Sequence, residues 1–333
     1  MNLFKVDLAD KTLRLVLGDF FEFAQDFCPE FGMCVPEFFR HAETSSWLVK
    51  PVLLYYGMLS VAKACLTFAI PDFFLTDASM KHGINRVKAG DEPNLKSAEI
   101  NIQDQGVFQL ARRAIGGVAV PGNTKVRLDD VLQRLPEITV AYGLASRRFE
   151  GEYARITSPW VAHEKIDEPF HIVFDLPREF VEAKKALLPS ALLTDFKVIE
   201  PDKASLRYVS KAGWETQEVA QFQISRATLP FLSSTLDGRA AFFLPISAGK
   251  SVLQFTELEL LYLVIFYLSE VARYMPHVWL QLQEGQENFA VLLCQEVLRS
   301  CENKFLQLVQ QRMVYAITLP FGPLIQGKEA ADS

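Results

Sequence analysis

Arg273 and His277 are the residues of this chain whose types and spacing point most directly to chemistry. An imidazole can move a proton, and a guanidinium can stabilise negative charge building on a phosphate. Tyr274, Met275 and Pro276 separate the two. The proline disfavours an uninterrupted helix, because the residue before it avoids the α region. The pair is therefore expected to flank a helix–helix corner, and two readings stay open there. In one, the two side chains form a site. In the other, Arg273 binds carbonyls at the end of its helix, Pro276 starts the next helix and Trp279 packs the corner. The second fits the preference of helix C-termini for cations.

A second constellation lies between Pro51 and Pro71. Val52 to Ile70 is apolar nearly all round, so a central helix is expected, opened by Pro51 and stopped by Pro71. Tyr56, Ser60, Lys63 and Thr67 follow one another at spacings of four, three and four, and so share a face. A lysine on a central helix must reach water or an acceptor. The stripe is either the rim of the core or the polar wall of a ligand cleft. His82, beside Gly83 in a loop-like stretch from Asp72 to Asp91, is either a surface residue or a further ligand group. His41, His163 and His171 lack the spacing with acidic residues or cysteines that a metal site needs. His171 stands at an expected strand start and reads as structural.

Several chemistries lack their signatures. There is no GxGxxG, GxSxG or HExxH. Ala248 to Ser251 offers only the end of a Walker loop, since position 244 is Leu. The cysteines are five, an odd number, with no CxxC pair, so a disulfide framework is not expected. Cys294 and Cys301 lie seven apart on one helical face, with no histidine to complete a ligand set, and read as core residues. No metal and no cofactor are expected. Basic residues cluster at Lys81, Arg86 and Lys88, at Arg112 and Arg113, and at Arg147 and Arg148. On one face with exposed aromatics they would bind RNA or single strands; scattered, they are solvated surface.

The elements that must position these groups follow from composition and pattern. The chain has 333 residues, 50% of them apolar and 22% charged, with a formal net charge of −6. That suffices for a large core, excludes collagen-like and low-complexity classes, and argues against coating DNA by bulk charge. No secretory signal is expected at the N-terminus. The most apolar run, Leu260 to Leu268, is far short of the about 20 residues of a membrane span. The expectation is a cytoplasmic protein with no membrane partner.

The first third reads as helical and rich in Phe. Residues 97–103 alternate as a strand, and Leu128 to Leu135 reads as a short helix ended by Pro136. The middle changes period: Tyr153 to Val161, His171 to Phe174, Phe196 to Ile199, Leu206 to Ser210, Gln221 to Ser225 and Ala240 to Pro245 are expected strands. One helix, Arg178 to Leu188, lies among them. Thr256 to Glu259 forms a capping-box pattern opening a helix to about Arg273. Further helices are expected from Pro276 and over Phe289 to Gln311. The fold class is α+β: a helical body from both chain ends (1–96 and 251–326), an antiparallel β-rich middle (97–250) and a frayed tail (327–333).

Two segments carry a resemblance. Pro51 to Lys63 (PVLLYYGMLSVAK) and Arg273 to Trp279 (RYMPHVW), with Lys81-His82-Gly83 between them, resemble the signatures of the YaaC-like family of bacterial proteins. The resemblance implies architecture more than activity. The helical part of that family is similar to HEPN-type domains, many of which cleave RNA with an Arg followed a few residues later by a His. On that likeness His277 would move a proton for attack by the RNA 2′-hydroxyl and Arg273 would stabilise the phosphate, without a metal. The spacing here is one residue shorter than the usual minimum of that motif.

Three functions are therefore weighed. The first is a non-catalytic component binding RNA or another protein, as in a larger assembly such as an antiphage system. The second is a metal-independent ribonuclease using Arg273 and His277, with Lys63 and His82 as phosphate contacts. The third is a small-ligand sensor with a pocket along Tyr56, Ser60, Lys63 and His82. Oligomeric state is not encoded in any motif.

Overall fold

The computed structural model describes residues 29–69, 76, 80–87, 95, 97–114, 120–146, 153–156, 160–163, 168–184, 195–200, 203–217, 219–220, 233–234, 242–245, 255–284 and 289–318. The expected strand at Gln221 to Ser225, the partial Walker sequence at Ala248 to Ser251 and the tail from Gly327 lie outside them. The class is α+β, with antiparallel sheets between helical ends.

By its contacts the chain divides into two compact units. Unit 1 comprises Met1–Asn85, Asn101–Thr124 and Leu306–Ser333; unit 2 comprises Arg86–Ile100 and Lys125–Phe305. Each draws on segments far apart in sequence.

Unit 1 is built on α1 (Pro29–Thr44) and α2 (Lys50–Ala69), which pack on each other. Pro51 sits in the first turn of α2, where its missing N–H is not needed. Leu54, Tyr55, Met58 and Leu66 of α2 are fully buried, as an all-round apolar helix requires. Gly57 lets the Phe38 and Phe39 side chains of α1 approach the helix axis; a Cβ there would lie 2.9 Å from the Phe39 ring. The short helix α3 (Val107–Ala114) also packs on α2.

The strands from Tyr153 onward lie in unit 2, whereas Ile84 and Asn85 of the first strand belong to unit 1. The stretch expected to be a loop contains a short strand, β1 (Ile84–Arg86), which three residues could not announce by periodicity. It heads a three-stranded sheet in the order β1, β2 (Glu99–Ile102), β3 (Thr124–Arg127). Two helices follow, α4 (Leu128–Leu132) and, after a 3-10 turn at Pro136–Ile138, α5 (Thr139–Ser146). The single strand expected over Tyr153 to Val161 is two strands in different sheets, β4 (Tyr153–Ile156) and β5 (Trp160–Ala162).

The four-stranded sheet joins β5 to β6 (His171–Pro177), then to β8 (Ser205–Ser210) and β7 (Phe196–Ile199), antiparallel throughout. A helix, α6 (Arg178–Lys184), follows β6. In this sheet Phe174 faces Tyr208 across the β6–β8 register and stacks on it at 5.5 Å. The other antiparallel sheet is β4 with β10 (Phe242–Pro245) and β9 (Ser233–Ser234).

The last helices are α7 (Glu257–Tyr274), α8 (Pro276–Glu284) and α9 (Phe289–Thr318). The capping box read from Thr256 and Glu259 forms with both reciprocal hydrogen bonds. Leu260 to Leu268 is buried without interruption. Cys294 and Cys301 lie in the core, where burial pushes the Cys294 thiol up to about 12. Among the described residues no helix is long and apolar enough to cross a membrane.

Candidate functional site

The corner between α7 and α8 is set by its own sequence. Met275 leaves the helix with φ −136° and ψ 54° because Pro276 follows. Its carbonyl accepts from the N–H groups of Val278 and Trp279 at 3.0 and 3.1 Å, which starts α8. Trp279 is 1% exposed and anchors the turn.

Arg273 lies back along its own helix. Its Nε donates to the Ser269 carbonyl at 3.4 Å, and its Nη2 pairs with Glu270. The guanidinium sits 5.0 Å from the centre of the Tyr274 ring. Tyr274 is 66% exposed, and Pro276 and His277 beside it are exposed as well. His277 has no hydrogen-bond partner among the described residues. Burial raises the Glu270 carboxyl above its usual value, while Arg273 and Arg86 pull it back. Tyr267, one turn earlier, is raised by burial and lowered again by Arg86.

Arg86 is a member of this group that sequence clustering placed only with Lys81 and Lys88. It comes from β1 and reaches the corner, where its Nη1 donates to Met275 Sδ at 3.4 Å. Tyr274 adjoins Arg273, and Glu270 is one turn before it. Nothing in the spacing of Arg86, 187 positions upstream of Arg273, announces the meeting.

The remaining candidates belong to unit 1. Ser60 Oγ donates to the Tyr56 carbonyl at 2.8 Å, so its hydroxyl serves its own helix. Tyr56 stacks on Phe38 at 6.1 Å and lies tilted against Tyr55 at 5.6 Å. Lys63 is partly buried, and that burial lowers its ammonium below the usual range. His82 is held by a side chain of α2. Its Nδ1 is hydrogen-bonded to the buried Tyr55 hydroxyl at 2.9 Å, and the two rings lie 5.6 Å apart.

The Lys81 and His82 carbonyls accept from Val107 and Phe108 N–H, capping α3. Gly83 (φ +79°) and Gly106 (φ +122°) make that approach possible: a Cβ on Gly106 would lie 2.4 Å from the Gly83 nitrogen.

His171 is structural, as its strand position suggests: Nδ1 donates to the Ser210 and Ala212 carbonyls at 2.9 and 3.1 Å. Arg112 is buried, so the Arg112–Arg113 pair does not present two cations to solvent. Among the described residues no group of His, Cys, Asp and Glu is arranged to hold a metal ion.

A second buried polar group was invisible in the sequence. Lys304 on α9 donates to Glu257 at the start of α7 and to Glu137 in the 3-10 turn. Lys304 and Glu257 are buried almost completely. Burial, and Glu137 beside it, push the Glu257 carboxyl up to about 8 despite Lys304.

A family model described as YaaC-like Protein matches residues 35–313. Comparison with curated proteins and with solved structures gives no match.

Proposed function

The chain belongs to the YaaC-like family, and from that premise we propose that it works by binding rather than by chemistry, with single-stranded RNA as its ligand and the α7–α8 corner as its contact surface. The observation that carries this is Tyr274: an aromatic ring 66% exposed with a guanidinium over it. Single strands are held by this combination, since every base has a face to stack and the cation adds to the attraction without reading sequence. Exposed His277 and Pro276 extend the same surface.

Catalysis finds less support. Arg273 is engaged by Ser269 and Glu270, and no described group orients His277 or exchanges a proton with it. A general base or acid needs such a partner or a substrate held within hydrogen-bond reach. The net charge of −6 makes a local basic surface necessary for any RNA contact.

The test is one titration with two readouts. A labelled short single-stranded RNA is mixed with the full chain in chelator, and both anisotropy and strand integrity are followed. The expected result is saturable binding of intact RNA, weakened about tenfold or more by Tyr274→Ala. Absence of binding removes the reading. Cleavage that disappears in His277→Ala transfers the site to the ribonuclease reading instead.

A further inference from the structure

Arg86 is partly buried, carries a permanent charge, and has a thioether as its hydrogen-bond acceptor. Sulfur in a thioether accepts weakly, whereas a guanidinium offers five donors in a rigid fork. No carboxylate is hydrogen-bonded to Arg86 among the described residues. Its neighbour Glu270 is taken by Arg273. The local balance is two guanidinium groups against one carboxylate, and burial works against ionisation of that carboxylate. A positive excess therefore sits at the corner, on a guanidinium bonded to Met275, the residue that follows the exposed Tyr274, with its donors largely unspent.

We infer that Arg86 is the phosphate contact of this corner: its guanidinium exchanges the Met275 thioether for a phosphodiester oxygen pair of single-stranded RNA while a base stacks on Tyr274. The inference rests on the RNA-binding reading above and names the group within it that supplies the charge. Arg273 is the less suitable of the two arginines because its Nε and Nη2 already serve Ser269 and Glu270. The exchange is favourable in kind. A charge-assisted, bidentate pair with phosphate is stronger than a neutral hydrogen bond, and far stronger than one to sulfur. Met275 then acts as a placeholder that keeps the guanidinium aimed at the corner when no strand is bound.

The experiment measures affinity for a short single-stranded RNA across a salt series, for wild type, Tyr274→Ala, Arg86→Gln, Arg86→Lys and Met275→Leu. Folding of each is checked by circular dichroism and thermal melting. Arg86→Gln should weaken binding about tenfold and reduce the slope of log K against log salt by about 0.7, the value for one phosphate on a single strand. Arg86→Lys keeps the charge without the fork, so it should weaken binding while leaving the slope intact. It also serves if the glutamine variant does not fold. Met275→Leu removes the competing acceptor at similar volume and should tighten binding, a response that a purely structural Arg86 does not predict. If wild type binds and Tyr274→Ala weakens it, but neither Arg86 variant changes affinity or slope, the phosphate assignment is wrong and the binding surface stands. If wild type does not bind, both fall.

Discussion

Lys304 offers the sharpest test of how unit 2 is held together. Its ammonium is buried between Glu257 and Glu137, brought from helices and a turn far apart in sequence. With both carboxylates ionised, the group would hold one uncompensated negative charge inside the core. Burial resolves this by keeping a proton on Glu257, whose carboxyl is pushed from 4.5 up to about 8. Glu257→Gln imitates that protonated form, and Lys304→Met removes the only cation of the trio. The methionine variant leaves Glu137 and Glu257 in the core with no cation beside them, and breaking a buried pair in this way costs about 3–5 kcal/mol.

The pH dependence separates the two variants. Because the folded value of Glu257 lies above the unfolded one, its contribution is fully present below about 4.5. It is lost as pH rises through about 8. Each pH unit of that interval carries about 1.4 kcal/mol, so the loss across it is of the order of a few kcal/mol. Urea unfolding near the two ends of this range, and between them, reads the effect directly. Wild type should lose stability relative to Glu257→Gln as pH rises, because glutamine cannot ionise, and Lys304→Met should be the least stable of the three at and above neutral pH, where the carboxylates it leaves behind ionise. Equal pH dependence of wild type and Glu257→Gln would show that the proton does not reside on Glu257. A Lys304→Met variant as stable as wild type would show that the trio is not compensated through Lys304.

Two further outcomes follow from the same structure. Trp279→Ala should cost about 3–5 kcal/mol in unfolding experiments, whereas His277→Ala, at an exposed position, should stay within about 0.5 kcal/mol of wild type; equal losses would mean the corner is not anchored as described. Gly106→Ala should lower the melting temperature markedly or prevent folding, since the new methyl has no room beside Gly83 and φ +122° disfavours it. A variant melting like wild type would contradict the packing around His82.

Much of the architecture was legible locally. Apolar spacing and two prolines marked α2, observed as Lys50–Ala69. Thr256 and Glu259 announced their reciprocal cap, and Pro276 announced the corner with Trp279 beneath it. The misreadings were also local in cause. A strand as short as β1 has too few residues for a period, and the break between β4 and β5 is a change of sheet, which alternation cannot register. Of the candidate site residues, Arg273 and His277 could be picked from type and spacing. The surroundings that decide what each can do could not: Ser269 and Glu270 occupying Arg273, Tyr55 holding His82, Ser60 turned to its own backbone.

The sequence alone determined what depends on near neighbours: helix faces, caps, proline stops, and the absence of nucleotide-loop and metal-ligand spacings. Those are properties of a few consecutive residues, because dihedral preferences and i to i+4 contacts act over that range. Only the tertiary structure decided which distant charges meet. Arg86 reaches Met275 across 189 positions, and Lys304 reaches Glu137 across 167. Such meetings are fixed by how whole elements pack their apolar faces. A charge carried into the interior by that packing must then find a partner or give up its ionisation, and no window of sequence records which it does.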